Sequence, residues 1–305
     1  MSDVISTIKG MANGLSAEPT TELADALAEA GLTTHQSGGR LVLSEPLELL
    51  DTDLIRRSVP GDILSRVEAH WSIDSTNSYL MDRASSADFH GWLCLAERQI
   101  QGRGRRGRQW ISPFGKNIYM SLGWNLPSRI GLEGLSLVVG MQLARTLRSA
   151  GLKDIGVKWP NDVMLDRGKL AGILIEMATP RQGLIGVVIG IGINLQLDEK
   201  DAGEIDQAWS DTRGALGIAR NKLVANLVSD LLEELPRFAD TGFAPYQDSW
   251  KKFDLYYGRE VRIQLGENFI EGVNQGVDSR GNLLLETEKG HQIFNAGEVS
   301  LRALS

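Results

Sequence analysis

Apolar residues recur along the chain with three different spacings. From 3 to 30 the spacing is helical in two pieces, carried by Val4, Ile5 and Ile8 and then by Leu23, Ala26 and Leu27. "TTHQSGGRLVL" then reads as two short strands about a tight turn at Ser37-Gly38-Gly39. "NIYMSLGWNL" alternates Ile118, Met120, Leu122 and Trp124 on one face, which predicts a half-buried strand. "LEGLSLVVGMQLARTLRSAG" places Leu132, Leu135, Val139, Leu143 and Leu147 at helical spacing and is apolar on further sides, predicting a buried helix that stops at Gly151. The strand candidates "VKW", "KLAGILIEM" and "LIGVVIGIGINLQL" follow. Next comes a helix, "NKLVANLVSDLLEEL", with Leu223, Leu227, Leu231 and Leu235 on one stripe. From about 256 the helical signal disappears. "REVRIQL", "NFIEGV", "NLLLET" and "HQIFNA" are short strands between glycine-bearing turns, spaced like a small β-barrel.

Composition narrows this outline. At 305 residues, 42% apolar and 23% charged, the chain suits two or three globular domains. A net charge of −7 argues against long-range recruitment of nucleic acid by the molecule as a whole, so any anion site is local. The single cysteine, Cys94 in "GWLCLAE", reads as a buried, inert thiol, which excludes a disulfide within one chain and suits a reducing compartment. "MSDVISTIKGMANG" lacks a cationic head followed by a long apolar core, and no run of about 18 apolar residues occurs. A cytoplasmic protein with no membrane partner is expected. The histidines His35, His70, His90 and His291 are scattered without HExxH or CxxC, which disfavours a dedicated zinc site.

The densest chemistry lies in "RQIQGRGRRGRQW", residues 98–110, with five arginines and three glycines. "GRGRRG" formally satisfies GxGxxG, but a dinucleotide site also needs a helix opening at its end and an acid about 20 residues on. "RQWISPFG" and "WNLPS" occupy those places instead. "GIGINL" fails too, with Leu195 where the third glycine belongs, and no Walker sequence is present. An isolated charge run is often a solvated loop. Three glycines in six residues, guanidinium forks and non-basic flanks favour a clamp for a small polyanion instead. "VKWPNDVML" puts Lys158, Asn161 and Asp162 at a turn after a strand, either a plain strand end or a place for phosphate and magnesium. Lys169 precedes an apolar strand, Asn194 ends another, and Ser75, Thr76 and Asn77 stand where a helix begins.

In order, "DSTN", "RQIQGRGRRGRQWISPFGKNIYMS", "KWPNDVML", "GKLAGILIE" and "GIGIN" resemble biotin protein ligases, specifically the three-domain bacterial type related to the ligase/biotin-operon repressor. The resemblance spans about 65–305. It implies an α/β (α+β) fold: a reduced winged-helix-like module over 1–50, a catalytic domain with a mixed sheet like class II aminoacyl-tRNA synthetases over 65–253, and an SH3-like barrel over 256–305. It implies that biotin is activated with ATP and Mg²⁺ to biotinyl-5′-AMP, releasing pyrophosphate, and is then transferred to a lysine of a biotin carboxyl carrier protein. Residue by residue, it assigns Ser75, Thr76, Asn77, Gln99, Arg103, Gly104, Arg105 and Lys169 to biotin. Arg105, Lys158, Asn161, Asp162, Asn194 and Trp209 fall to the nucleotide, with Asp162 also at magnesium. Arg103, Arg105, Lys158 and Lys169 are the catalytic cations. The glycine-rich loop is expected to order over the ligand, and pairing into a homodimer is expected through the sheet of the catalytic domain.

Rival readings are a biotin-responsive repressor that uses the ligase domain as sensor, a lipoate ligase, and a generic nucleic-acid binder. The residues before the wing-like hairpin read as two helices where a repressor has three, and the second carries Glu22, Asp25 and Glu29 with no basic residue. DNA binding is therefore disfavoured.

Overall fold

The computed structural model of the chain describes residues 2–303, apart from 167, 180, 213, 266–267 and 297–299. The two helical segments at the start are α1 (Ser2–Ala12) and α2 (Thr21–Glu29). The second begins where the Thr20 hydroxyl accepts from Leu23 N at 3.2 Å. The hairpin β1 (Thr34–Ser37) and β2 (Arg40–Leu43) turns at Gly38 and Gly39, whose φ values of 58° and 78° suit glycine. Ile8, Met11, Leu23 and Leu27 form a small core of their own.

The central layer is a seven-stranded mixed sheet in the order β3-β4-β5-β9-β8-β7-β6. After α3 (Thr52–Ser58) come β3 (Arg66–His70), α4 (Thr76–Met81), β4 (Trp92–Ala96) and β5 (Ile118–Pro127). Then follow α5 (Leu135–Ser149), β6 (Ile155–Lys158), β7 (Asp162–Leu165), β8 (Gly168–Met177), β9 (Leu184–Ile193), α6 (Arg220–Thr241) and the short α7 (Gln247–Trp250). Only the first pair, β3 with β4, is parallel. A second, wholly antiparallel sheet has the order β13-β12-β11-β10-β14. It comprises β10 (Glu260–Leu265), β11 (Asn268–Val277), β12 (Leu283–Thr287), β13 (Gly290–Phe294) and β14 (Ser300–Ala303).

Strand alternation gives the large sheet two faces. Ile118, Met120, Leu122, Trp124 and Leu126 of β5 join the main core with the apolar stripes of α5 and α6. Ser121, on the other face, is hydrogen-bonded to α4.

Several sequence expectations are corrected. The strand at 118–127 is buried on both faces from Ile118 to Trp124, because α4 covers the side left polar in the pattern. The helix predicted from Leu132 starts at Leu135, since Gly134 takes φ 78° and a β-carbon there would strike the Phe243 ring. The helix predicted to end at Leu235 runs through Pro236 to Thr241, drawn on by Phe238, which is fully buried. The long strand read to 197 ends at Ile193. "KWPND" is the turn of a hairpin, with "DVML" forming the unforeseen β7; α3, β3 and β14 were also unforeseen.

Candidate active site

The arginine–glycine segment folds as a miniature hairpin. Arg103 pairs with Gln109 in an antiparallel bridge, Gly104 N donates to Arg108 O at 2.7 Å, and Trp110 N donates to Gly102 O at 2.8 Å. The turn at its tip needs left-handed backbone at Arg106 (φ 58°) and Gly107 (φ 72°). A β-carbon on Gly102 would run into the Trp110 carbonyl and the Ser112 hydroxyl, so this glycine is required by close approach. The turn thereby presents arginines from a compact, self-bonded unit.

Beneath it, glycines pave the sheet. Ser121, Gly190 and Leu174 lie in one cross-strand row, and Tyr119, Gly192 and Gly172 in the next. A β-carbon on Gly192 would stand 2.5 Å from the Trp110 ring and one on Gly172 would stand 2.9 Å from it, while one on Gly190 would strike the Asn77 amide. The alternating "GIGI" of β9 therefore makes a floor on which Trp110 and Asn77 rest.

Two clefts open on this floor. The first is lined by Ser75, Thr76, Asn77, Gln99, Arg103, Gly104, Arg105 and Lys169, the whole set that the resemblance assigned to biotin. Ser75 caps α4, which turns Thr76 and Asn77 inward. Gln99 Oε1 accepts from Thr76 N at 3.0 Å and its amide donates to Ser112 Oγ at 3.2 Å. Ser121 Oγ donates to Asn77 Oδ1 at 2.6 Å, and Asn77 Nδ2 donates to Glu176 Oε2 at 3.0 Å. Arg103 forms an ion pair with Glu176 at 2.9 Å.

The second cleft is lined by Arg105, Lys158, Asn161, Asp162, Asn194 and Trp209, together with Asp206. Gly104, Arg105, Trp110, Asn161 and Lys169 border both clefts, so the two meet there. Arg105 Nη1 donates to Asn161 Oδ1 at 2.9 Å, and its other terminal nitrogen reaches the Ala296 carbonyl. Burial lowers the Arg105 pKa, Asp162 opposes that, and Arg106 and Arg108 add to it. Lys169 Nζ pairs with Asp162 Oδ1 at 2.8 Å. Asn194 donates its amide to Ser210 O at 3.2 Å, and Ser210 N donates to Lys169 O at 3.0 Å. The chain at Ala208–Ser210 is thus laid alongside Lys169, which brings Trp209 to the cleft.

For magnesium, the carboxylates on the second cleft are Asp162 and Asp206, and no cluster of three or more histidine, cysteine, aspartate or glutamate residues suits a metal among the described residues. That donor set fits an ion carried in on phosphate oxygens.

Trp110, Ser112, Ser121 and Glu176 escaped the sequence reading. The alternating glycines Gly190 and Gly192 mark a face where something bulky lies close, but nothing in their spacing points to Trp110, which rests on Gly192 and Gly172. Its indole Nε1 is buried with no hydrogen-bond partner among the described residues. Cys94 is fully buried on the sheet, and burial pushes its thiol pKa up. No helix among the described residues is long and apolar enough to cross a membrane.

The profile of the Biotin/lipoate A/B protein ligase family matches residues 70–194, and that of the Biotin protein ligase C terminal domain matches 256–302. The bifunctional ligase/repressor BirA of Salmonella typhimurium is 40% identical over 263 residues, covering 86% of this chain and 81% of that protein. The biotin–[acetyl-CoA-carboxylase] ligase of Paracoccus denitrificans is 32% identical, covering 74% of this chain and 96% of its own length. Among solved structures, the biotin protein ligase from Aquifex aeolicus in complex with biotin and ATP superposes with a TM-score of 0.65 at 28% identity, covering 78% of this chain and 99% of that one.

Proposed function

The chain belongs to the biotin/lipoate A/B protein ligase family, on its biotin protein ligase side, and from that premise we infer how its residues perform the reaction. It is an ATP-dependent biotin protein ligase. The biotin carboxylate attacks the α-phosphorus of ATP, the bond to the leaving pyrophosphate breaks, and biotinyl-5′-AMP forms. A neutral lysine amine of the acceptor then attacks the acyl carbon, and AMP departs. The observation that carries the assignment of roles is the junction of two clefts at Arg105, Asn161 and Lys169.

Two anions must approach each other in the first step, and cations fixed beforehand offset their repulsion. In this reading the first cleft holds biotin, with Ser75, Thr76, Asn77 and Gln99 fixing its polar ring and Arg103 and Gly104 closing over it. Arg105 and Lys169 stand where its carboxylate meets the α-phosphate. Lys158 and Asn161 serve the polyphosphate, Asp162 the magnesium borne on it, and Trp209 the adenine, while Asn194 braces the chain that carries Trp209. Magnesium supplies charge neutralisation to the phosphates. The miniature hairpin orders over the ligands and keeps water from the mixed anhydride.

The domain reading is 1–50, 65–253 and 256–305, with a class II synthetase-like catalytic unit and an SH3-like C-terminal barrel. The first unit is a reduced winged-helix module that has lost operator binding. Its support is α2, whose Glu22, Asp25 and Glu29 offer phosphate no cation. Binding of a biotin-operator duplex in a gel shift would restore the repressor reading. The acceptor is a biotin carboxyl carrier domain, the location cytoplasmic, and the assembly a homodimer through the large sheet.

Biotin-dependent exchange of labelled pyrophosphate into ATP tests the ligase and its loop together. Wild-type exchange that requires biotin and drops in Arg105→Ala supports both. Exchange with lipoate or octanoate but not biotin moves the protein to another substrate.

A further inference from the structure

Lys116 stands outside both clefts and joins the segments that wall them. It follows the arginine–glycine segment, whose base is closed by Gly115 N donating to Glu97 O at 2.9 Å. Its side chain, 19% exposed, crosses to the excursion between β9 and α6, where Nζ pairs with Asp198 and, at 3.1 Å, with Asp201. The neighbouring Asn117, fully buried, accepts from Leu195 N at 2.8 Å and Gln196 N at 3.1 Å. The stem of that excursion is stapled again by Leu197 N donating to Asp211 at 2.9 Å. A few residues beyond Asp201, the same excursion supplies Ile205, Asp206, Gln207 and Trp209 to the nucleotide-side cleft. Burial works against the Lys116 charge, yet hydrogen bonds to the two aspartates raise its pKa above the ordinary lysine value.

Resting on the ligase reading, we propose that Lys116 is a positioning residue, a latch that ties the nucleotide-side wall to the base of the arginine–glycine segment so that biotin and ATP tighten each other's binding. Ordering either wall through the latch lowers the cost of ordering the other, and such coupling is reciprocal by thermodynamic necessity. An ammonium shared by two carboxylates and partly withdrawn from water is suited to this, whereas a freely solvated pair contributes little.

Calorimetric titrations of the full chain with biotin and with α,β-methylene-ATP, each alone and in the presence of the other, test the latch. In the wild type each ligand strengthens the other. Lys116→Met, and separately Asp198→Asn with Asp201→Asn, reduce that ratio roughly three- to tenfold, while biotin alone binds as before and Lys116→Arg keeps the ratio. In pyrophosphate exchange the Lys116→Met KM for ATP rises more than kcat falls. Coupling that survives in Lys116→Met, or is absent from the wild type, overturns the latch alone. Equal weakening of both ligands with a lowered melting temperature marks a merely structural lysine and also overturns it. Wild-type protein that binds neither ligand overturns the ligase reading, and the latch with it.

Discussion

Lys169 and Asp162 stand 2.8 Å apart where the two clefts meet, with side chains 16% and 17% exposed. The free protein thus neutralises Lys169, the proposed reaction-centre cation, with its own carboxylate. On the proposed ligase reading, two entering substrate anions are expected to draw the lysine to them and to release the carboxylate to a phosphate-bound cation. Lys169→Gln is expected to lower biotin-dependent exchange by about 10²–10³-fold, the size seen when one transition-state donor is lost. Asp162→Asn is expected to raise the Mg²⁺ concentration for half-maximal exchange, which Lys169→Gln leaves in place. A magnesium titration of both variants checks the division of labour, and identical profiles would sink it.

Gly192→Ala is expected to act through Trp110. The added methyl carbon would stand 2.5 Å from a ring that also lies against Gly172, so the ring must move. Overpacking of this kind costs about 1–3 kcal/mol, and movement into the cleft shows as a biotin affinity lower by roughly tenfold. Gly203→Ala, in open space, is the control and leaves biotin affinity unchanged. Equal affinities in both variants would show that Trp110 does not set the shape of the cleft proposed for biotin.

These residues show what the sequence made legible. Glycine and arginine at 102–108 fit no apolar core pattern, so the segment stood out before the fold, and the long apolar runs of β8 and β9 announced strands of the main sheet. Trp110 stayed hidden because an indole packs by shape, and its partners Gly172 and Gly192 are distant in sequence. β7 was missed because four residues carry too little periodicity, and α3 because its inward face is anchored by Ile55 alone among its buried residues. The last turn of α6 was missed because the leucine stripe stops at Leu235, whereas burial of Phe238 carries the helix through Pro236 despite the lost backbone hydrogen bond. The buried second face of β5 was illegible for a different reason: Ser121 and Gly123 read as solvent-facing until α4 and Phe89 are placed over them.

His90 gives the fold a pH dependence with a definite sign. Burial lowers its pKa from 6.5, and its Nδ1 accepts a hydrogen bond from Asn125 N at 3.1 Å, which a protonated ring would break. The unfolded chain therefore binds a proton first as pH falls. Stability from this group is present above about pH 6.5 and lost as pH drops toward the folded pKa. Melting temperatures are expected to be level above neutrality and to decline below it. His90→Gln should make that decline shallower, leaving the part due to His70, which burial also lowers.

The pair Arg220–Glu97 is expected to be the most sensitive polar contact for stability. Nη1 meets Oε2 at 2.7 Å with side chains 6% and 5% exposed. Arg220 also donates to Asn117 O at 2.6 Å and to Glu48 O at 3.0 Å, while Glu97 accepts from Leu50 N at 2.6 Å. One guanidinium thus joins the segment that leads into α3, the end of β4 and the start of β5. Arg220→Met strands a carboxylate away from water, at a cost of about 3–5 kcal/mol. Adding Glu97→Gln removes the stranded charge and keeps an acceptor for Leu50 N, so the double variant should recover part of the loss. Urea unfolding midpoints of the two variants decide it: a double variant no more stable than Arg220→Met alone would mean that lost packing and backbone bonds, and not the unpaired charge, account for the cost.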